Sequence, residues 1–148
     1  MKKEITLYRS AYYHYEILET IEAGLVLLGT EVKSLRESHV SLIDNYVSIK
    51  GGEFWLKGVS IAPYRFGNVY NHEEKRDRKL LLHAVEMRSW RKKLEGKGLT
   101  LLALSLYWNK GRVKAKIGLC RGKKLFDKRK EMQKKHKQRE IDQALKRL

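Results

Sequence analysis

The segment that most restricts the fold runs over residues 113–119, where Val113, Ala115, Ile117 and Leu119 alternate with Lys114, Lys116 and Gly118. Successive side chains of a strand point to opposite faces, so strict period two predicts a strand with one face on a core and one cationic face outward. Such a strand requires a hydrogen-bonded neighbour. The apolar run over 99–107, across the turn Asn109-Lys110-Gly111, is placed to supply it. A second hairpin is predicted over 45–50 and 53–61, because Gly51-Gly52 permits the positive φ of a two-residue turn. Along its second strand Phe54 and Leu56 share one phase and Val59 and Ile61 the other, which puts a bulge at Gly58. Residues 15–28 suggest one or two more strands, with a bend at Gly24.

Two helices are expected between these strands. Gly29 and Thr30 offer a start and an N-cap oxygen, Glu31 lies in the first turn, Val32 and Leu35 share a face, and Arg36 sits near the end. Over 84–95, Met87, Trp90 and Leu94 form a stripe, with Glu86 early and Arg91, Lys92 and Lys93 late. Residues 1–14 are polar and tyrosine-rich, either a docked terminus or a stacking surface. After Pro63 comes a loop, 64–79, in which Tyr64, Phe66 and Tyr70 mix with Arg65, Lys75, Arg76, Arg78 and Lys79. Aromatic and basic residues combined in one loop favour RNA contact. No internal repeat is present, and the strand spacing predicts a strongly bent antiparallel sheet or a partly open barrel of the oligonucleotide-binding type.

Charge then separates body from tail. The chain has 148 residues and a formal net charge of +16, enough for one core and an appendage. From Arg121 onward there are twelve Lys or Arg against four Asp or Glu, so half the net charge lies in less than a fifth of the length. A field that dense calls for a polyanion, and nucleic acid is the expected partner. The tail has no Gly or Pro after Gly122, so its intrinsic preference is helical. Its apolar stripe, Ile141, Leu145 and Leu148, is thin. The expected organisation is a barrel domain over 1–121 and a tail over 122–148 that is disordered when free and orders on RNA.

Catalytic and cofactor chemistry finds little support. Cys120 is the single cysteine, and His14, His39, His72, His83 and His136 lack metal-ligand spacing. No phosphate-cradling glycine motif occurs, so no metal and no cofactor are expected. The sharpest enzyme reading is a metal-free ribonuclease with His72 and His83 as base and acid. The N-terminal stretch lacks the apolar core of a secretory signal and no run reaches transmembrane length, so a cytoplasmic protein with no membrane partner is expected.

Several strings taken in order, GTEVKSLR at 29–36, DNYVSIKGGE at 44–53, APY at 62–64, RDRKLLLH at 76–83 and GKKLFDKRK at 122–130, resemble the SmpB family, bacterial small protein B that binds transfer-messenger RNA. The likeness spans nearly the whole chain. It implies a mainly β fold, an oligonucleotide-binding-type antiparallel β-barrel with short flanking α-helices and a basic C-terminal tail. It further implies a non-enzymatic adaptor of trans-translation that holds the tRNA-like domain and, with elongation factor Tu and GTP, enters the A site of stalled ribosomes. By this likeness Glu22, Leu81 and His83 form the RNA-facing site, and Lys33, Arg36, Arg78 and Lys79 position phosphates. Gly122, Lys123, Lys124, Phe126, Asp127, Lys128 and Arg129 belong to the tail segment that occupies the empty mRNA channel and decoding centre, with Gly122 as a hinge and Phe126 suited to stacking on a base of small-subunit rRNA. One departure stands out. Family members carry a basic and histidine-containing string where this chain reads Ser10-Ala11-Tyr12-Tyr13-His14. The alternative to the adaptor is a generic barrel that binds single-stranded RNA.

Overall fold

A computed structural model describes residues 2–67, 71–95, 98–123, 136–141 and 143. Its body is an antiparallel sheet with the strand order β1 (Lys2–Leu7), β8 (Leu99–Asn109), β9 (Arg112–Gly122), β2 (Tyr15–Leu25), β7 (Arg78–Leu81), β5 (Glu53–Lys57), β4 (Tyr46–Lys50). A small pair, β3 (Val40–Ser41) with β6 (Ser60–Ile61), lies apart from it. Among the described residues up to Lys123, the helices are α1 (Ala11–His14), α2 (Gly29–Arg36) and α3 (Ala84–Leu94), which flank the sheet. No helix among the described residues is long and apolar enough to cross a membrane.

Both predicted hairpins form. Gly51 and Gly52 have φ of 61° and 77°, and Lys110 and Gly111 have 52° and 75°, so both turns use two left-handed residues. Such turns match the right-handed twist of the strands they join. Gly58, at φ 78°, separates β5 from β6 where the buried phase changes from Phe54 and Leu56 to Val59 and Ile61. A Cβ there would stand 2.7 Å from the carbonyl oxygen of Asp44, so a side chain is excluded twice, by conformation and by contact.

Other expectations need correction. Residues 2–7, read as polar terminus, are a strand on β8, because their pairing is with backbone and requires little of their side chains. The segment at Arg78, read as the end of a loop, is β7, which bridges β2 and β5 and makes the sheet continuous. Residues 15–25 form one strand, β2, and at Gly24 it passes from β9 to β7, pairing with Lys114 on one side and Leu81 on the other. Thr30 does not cap α2; its hydroxyl bonds His72 Nδ1 at 2.8 Å. Glu31 Oε1 instead accepts the Leu28 N–H at 2.8 Å, satisfying one of the free donors of the helix start. The outward cationic phase of β9 ends at Lys116, and Gly118 is buried under Leu104, the residue expelled by a bulge in β8 between Ala103 and Ser105.

The core gathers Phe54, Leu56, Leu80, Leu101, Leu104, Leu106, Ile117 and Leu119 from the sheet, with Ile61 of β6, Leu35 of α2 and Trp90 of α3. Strands β4 and β8 approach without a backbone ladder, so the barrel is open by hydrogen-bond count. Asn45, buried just before β4, spans the gap. Its side-chain Nδ2 donates to the Ala103 carbonyl at 3.0 Å and its Oδ1 accepts the Ala103 N–H at 2.7 Å. One amide thus performs the exchange that a paired residue makes in an antiparallel ladder.

Beneath α2 lies a buried ionic cluster. Glu31 is fully buried and accepts from Arg78 Nε and Arg76 Nη2, each at 2.6 Å. Arg78, 1% exposed, also donates through Nη1 to the Val59 carbonyl at 2.6 Å and through Nη2 to that of Glu74 at 3.1 Å. Burial alone raises the Glu31 carboxyl, but the bonds from Arg76 and the Leu28 amide and the Arg78 charge outweigh it, and its pKa is lowered.

Candidate RNA interface

The register of the sheet builds the site. Outward positions pair in one row across five strands: Glu4 with Tyr107, Tyr107 with Lys114, Lys114 with Gly24, and Gly24 with Leu81. Glu22 pairs with Lys116 and Lys116 with Ser105 in the neighbouring row. Over this face lies a groove of about 550 Å³ whose walls include Glu22, Lys79, Leu81, His83 and Lys114. Four residues expected in an RNA site, Glu22, Lys79, Leu81 and His83, therefore meet at one groove. Leu81 is 53% exposed although it stands in a strand, an apolar surface suited to packing under a base. Gly24 keeps the floor low, since a Cβ would lie 3.2 Å from Leu81 Cβ and 3.6 Å from Lys114 Nζ.

Glu22 is held by its neighbours. The Tyr107 hydroxyl donates to Glu22 Oε2 at 2.6 Å, and Lys2 Nζ lies 3.6 Å from the same oxygen. The Tyr107 bond, aided by the charges of Lys2 and Lys114 against some desolvation, lowers the Glu22 pKa. Burial and the Glu22 carboxylate in turn push the Tyr107 phenol above its ordinary value. The carboxylate is thus an ionised acceptor at neutral pH, able to receive a base N–H or a ribose 2′-hydroxyl.

Lys33 and Arg36 lie elsewhere, exposed on α2. Lys33 Nζ stands 5.5 Å from the Tyr64 ring centroid, and the Arg65 guanidinium lies 4.7 Å from that of Phe66. Arg78 is a correction: its guanidinium is consumed inside the protein by Glu31 and by carbonyls, so it has nothing to offer a phosphate. His72 is likewise removed from any ribonuclease pair. It is buried, its Nε2 donating to the Ile61 carbonyl and its Nδ1 accepting from Thr30, both at 2.8 Å. No group of three or more His, Cys, Asp or Glu among the described residues could hold a metal ion. The Cys120 thiol is buried, which pushes its pKa up to about 11 and leaves it a poor nucleophile.

At the tail root Gly122 is not a free joint, being paired with Tyr15 in β9. Lys123 is gripped as well: its N–H donates to the His14 carbonyl at 2.9 Å and its Nζ to the Tyr12 carbonyl at 3.1 Å. Lys124, Phe126, Asp127, Lys128 and Arg129 lie outside the described residues. Residues 136–141 are helical, with His136 Nε2 3.0 Å from Glu140 Oε1. Sequence reasoning missed Tyr107, hidden in an apolar run, and assigned no role to Lys114, although its outward phase was readable.

An open antiparallel barrel with an outward row of lysine, glutamate, tyrosine and leucine defines a small β-rich protein of the nucleic-acid-binding class. The SmpB protein family model matches residues 5–147. The SsrA-binding protein of Chlamydia pneumoniae is 52% identical over 146 residues, covering 99% of this chain and 97% of that one. That of Chlamydia trachomatis serovar A is 54% identical over 145 residues, covering 98% and 96%. A chain from a solved structure of tmRNA-SmpB, on a journey to the center of the bacterial ribosome, aligns with a TM-score of 0.69 and 46% identity over 82% of this chain and 86% of that chain. The chain belongs to the SmpB family.

Proposed function

We propose that this chain is a transfer-messenger RNA-binding adaptor of trans-translation. Its groove at Glu22, Lys79, Leu81 and His83 grips the tRNA-like domain, with the carboxylate accepting hydrogen bonds, Leu81 packing on an exposed base and Lys79 on a phosphate. The single observation that carries this reading is the convergence of those four side chains, distant in sequence, on one groove. Its relatives' description as SsrA-binding proteins and the fold likeness to tmRNA-SmpB point the same way. On α2, Lys33 and Arg36 supply a further cationic contact. The bound RNA is delivered with elongation factor Tu and GTP to the A site, where the tail from Lys124 through Arg129 occupies the mRNA channel and decoding centre of the small subunit. The role is non-catalytic and cytoplasmic.

Binding to the isolated tRNA-like domain, compared at near-physiological salt with an unstructured RNA of equal length, tests this. A preference of about a hundredfold is expected, because elbow recognition adds base contacts to the phosphate attraction that any RNA supplies. Equal affinity would reduce the protein to a generic single-strand binder.

A further inference from the structure

Glu22 is a wall shared by two grooves. Beyond it, on the side away from Leu81 and His83, a second groove of about 500 Å³ opens, lined among others by Lys2, Glu4, Thr20, Ser105, Tyr107 and Lys116. We propose that this second groove binds one further ribonucleotide of the same RNA, with its base against the Tyr107 ring and its phosphate on Lys116 and Lys2. The inference rests on the proposed RNA reading of the first groove and extends it across the sheet toward β1.

The chemistry is carried by the row geometry. Lys116 pairs with Glu22 on one side and Ser105 on the other, so its ammonium rises from the middle of the outward face. Lys2 Nζ sits 5.5 Å from the centroid of the Tyr107 ring and 3.6 Å from Glu22 Oε2, which places a cation at the mouth of the groove. The Tyr107 hydroxyl donates to Glu22, which fixes the orientation of the ring, and the Lys2 ammonium lies over one of its faces. An aromatic ring with two ammonium groups for a phosphate and the Glu4 and Glu22 carboxylates as acceptors for base or ribose donors fits a nucleotide unit and not a neutral apolar ligand. The hydroxyls of Thr20 and Ser105 add donors and acceptors at the scale of a ribose. Because Glu22 borders both grooves, consecutive nucleotides would straddle its carboxylate, and Tyr107 acts additionally as the positioning residue that aims it.

The test uses the full chain and the isolated tRNA-like domain, with affinity measured over a series of salt concentrations. Lys116→Gln is expected to weaken binding about five- to eightfold near 0.1 M salt and to lower the slope of log K against log salt by about one, the signature of one lost phosphate contact. Tyr107→Leu should bind more weakly than Tyr107→Phe, since phenylalanine loses only the bond to Glu22 while leucine also loses the ring. Thermal unfolding of each variant confirms that the barrel is intact. If the wild type prefers the tRNA-like domain but Lys116→Gln changes neither affinity nor slope, the second groove is not a nucleotide site, and the first-groove reading survives. If the wild type shows no preference for the folded domain, that underlying reading fails and takes the second groove with it.

Discussion

Arg78 Nε and Glu31 Oε2 lie 2.6 Å apart in the interior, with side-chain exposures of 1% and 0%. This contact ties β7, the strand that links the two halves of the sheet, to the first turn of α2. A buried pair of this kind contributes little over an apolar pair of equal volume, but half of it left alone is costly. Glu31→Ala should therefore destabilise the fold by about 3–5 kcal/mol, measured by urea unfolding. The double variant Glu31→Leu with Arg78→Met should recover a large part of that loss, and a double variant as unstable as the single would contradict this account.

The same cluster sets an acid limit. The Glu31 pKa is lower in the folded chain than in the unfolded one. Its stabilisation is complete above the unfolded value, near that of an ordinary carboxylate, and is lost as pH falls toward the folded value. Unfolding free energy should accordingly decline below about pH 4.5, and Glu31→Gln should flatten that decline relative to the wild type.

Asn45 bridges the open side of the barrel to β8. Asn45→Ala strands the buried N–H and C=O of Ala103, for an expected cost of about 2–4 kcal/mol from two unsatisfied groups. Hydrogen exchange at the Ala103 amide should accelerate more than at amides in the β8–β9 ladder, because the opening is local to the β4 side.

Gly24→Val should reduce affinity for the tRNA-like domain about tenfold or more, equivalent to ~1.4 kcal/mol, with a small effect on stability. The new side chain would crowd Leu81 and Lys114 on the outward face and raise the groove floor without entering the core. Fluorescence titration of the variant beside a thermal melt separates the two effects.

Removal of the tail calls for a cut after Lys123, because Arg121 and Gly122 still pair with Leu99, Glu16 and Tyr15, and Lys123 is bonded to α1. A chain ending there should retain affinity for the tRNA-like domain and lose tagging of stalled peptides in a translation assay. A chain ending at Cys120 should in addition be less stable, since it removes strand and not only tail.

Much of the fold is legible wherever a short-range rule governs a short-range structure. Paired left-handed residues make the Gly51-Gly52 and Lys110-Gly111 turns, period-two alternation makes β9, and the Met87, Trp90 and Leu94 stripe makes α3. β1 and β7 are not legible in this way, because β1 is stabilised by backbone pairing to β8, some hundred residues distant, and β7 is too short to show a period. Arg78 shows the same limit for function. Its neighbours Lys79 and Leu81 do border the groove, while Arg78 alternates inward and meets Glu31. Strand phase decides that, and an undetected strand has no phase to read.

By itself the sequence determined the two hairpins, the helices α2 and α3, the basic tail and, through ordered family strings, Glu22, Leu81 and His83 as candidates. Tertiary structure alone decided that those three meet at one groove, that Tyr107 aims Glu22, that Arg78 serves the core and that Asn45 bridges the open side of the barrel. The physical reason is distance along the chain: turns and periodicity are energies of neighbours, whereas a groove, a buried ion pair and a cross-barrel amide are made by residues that meet only once the sheet has coiled.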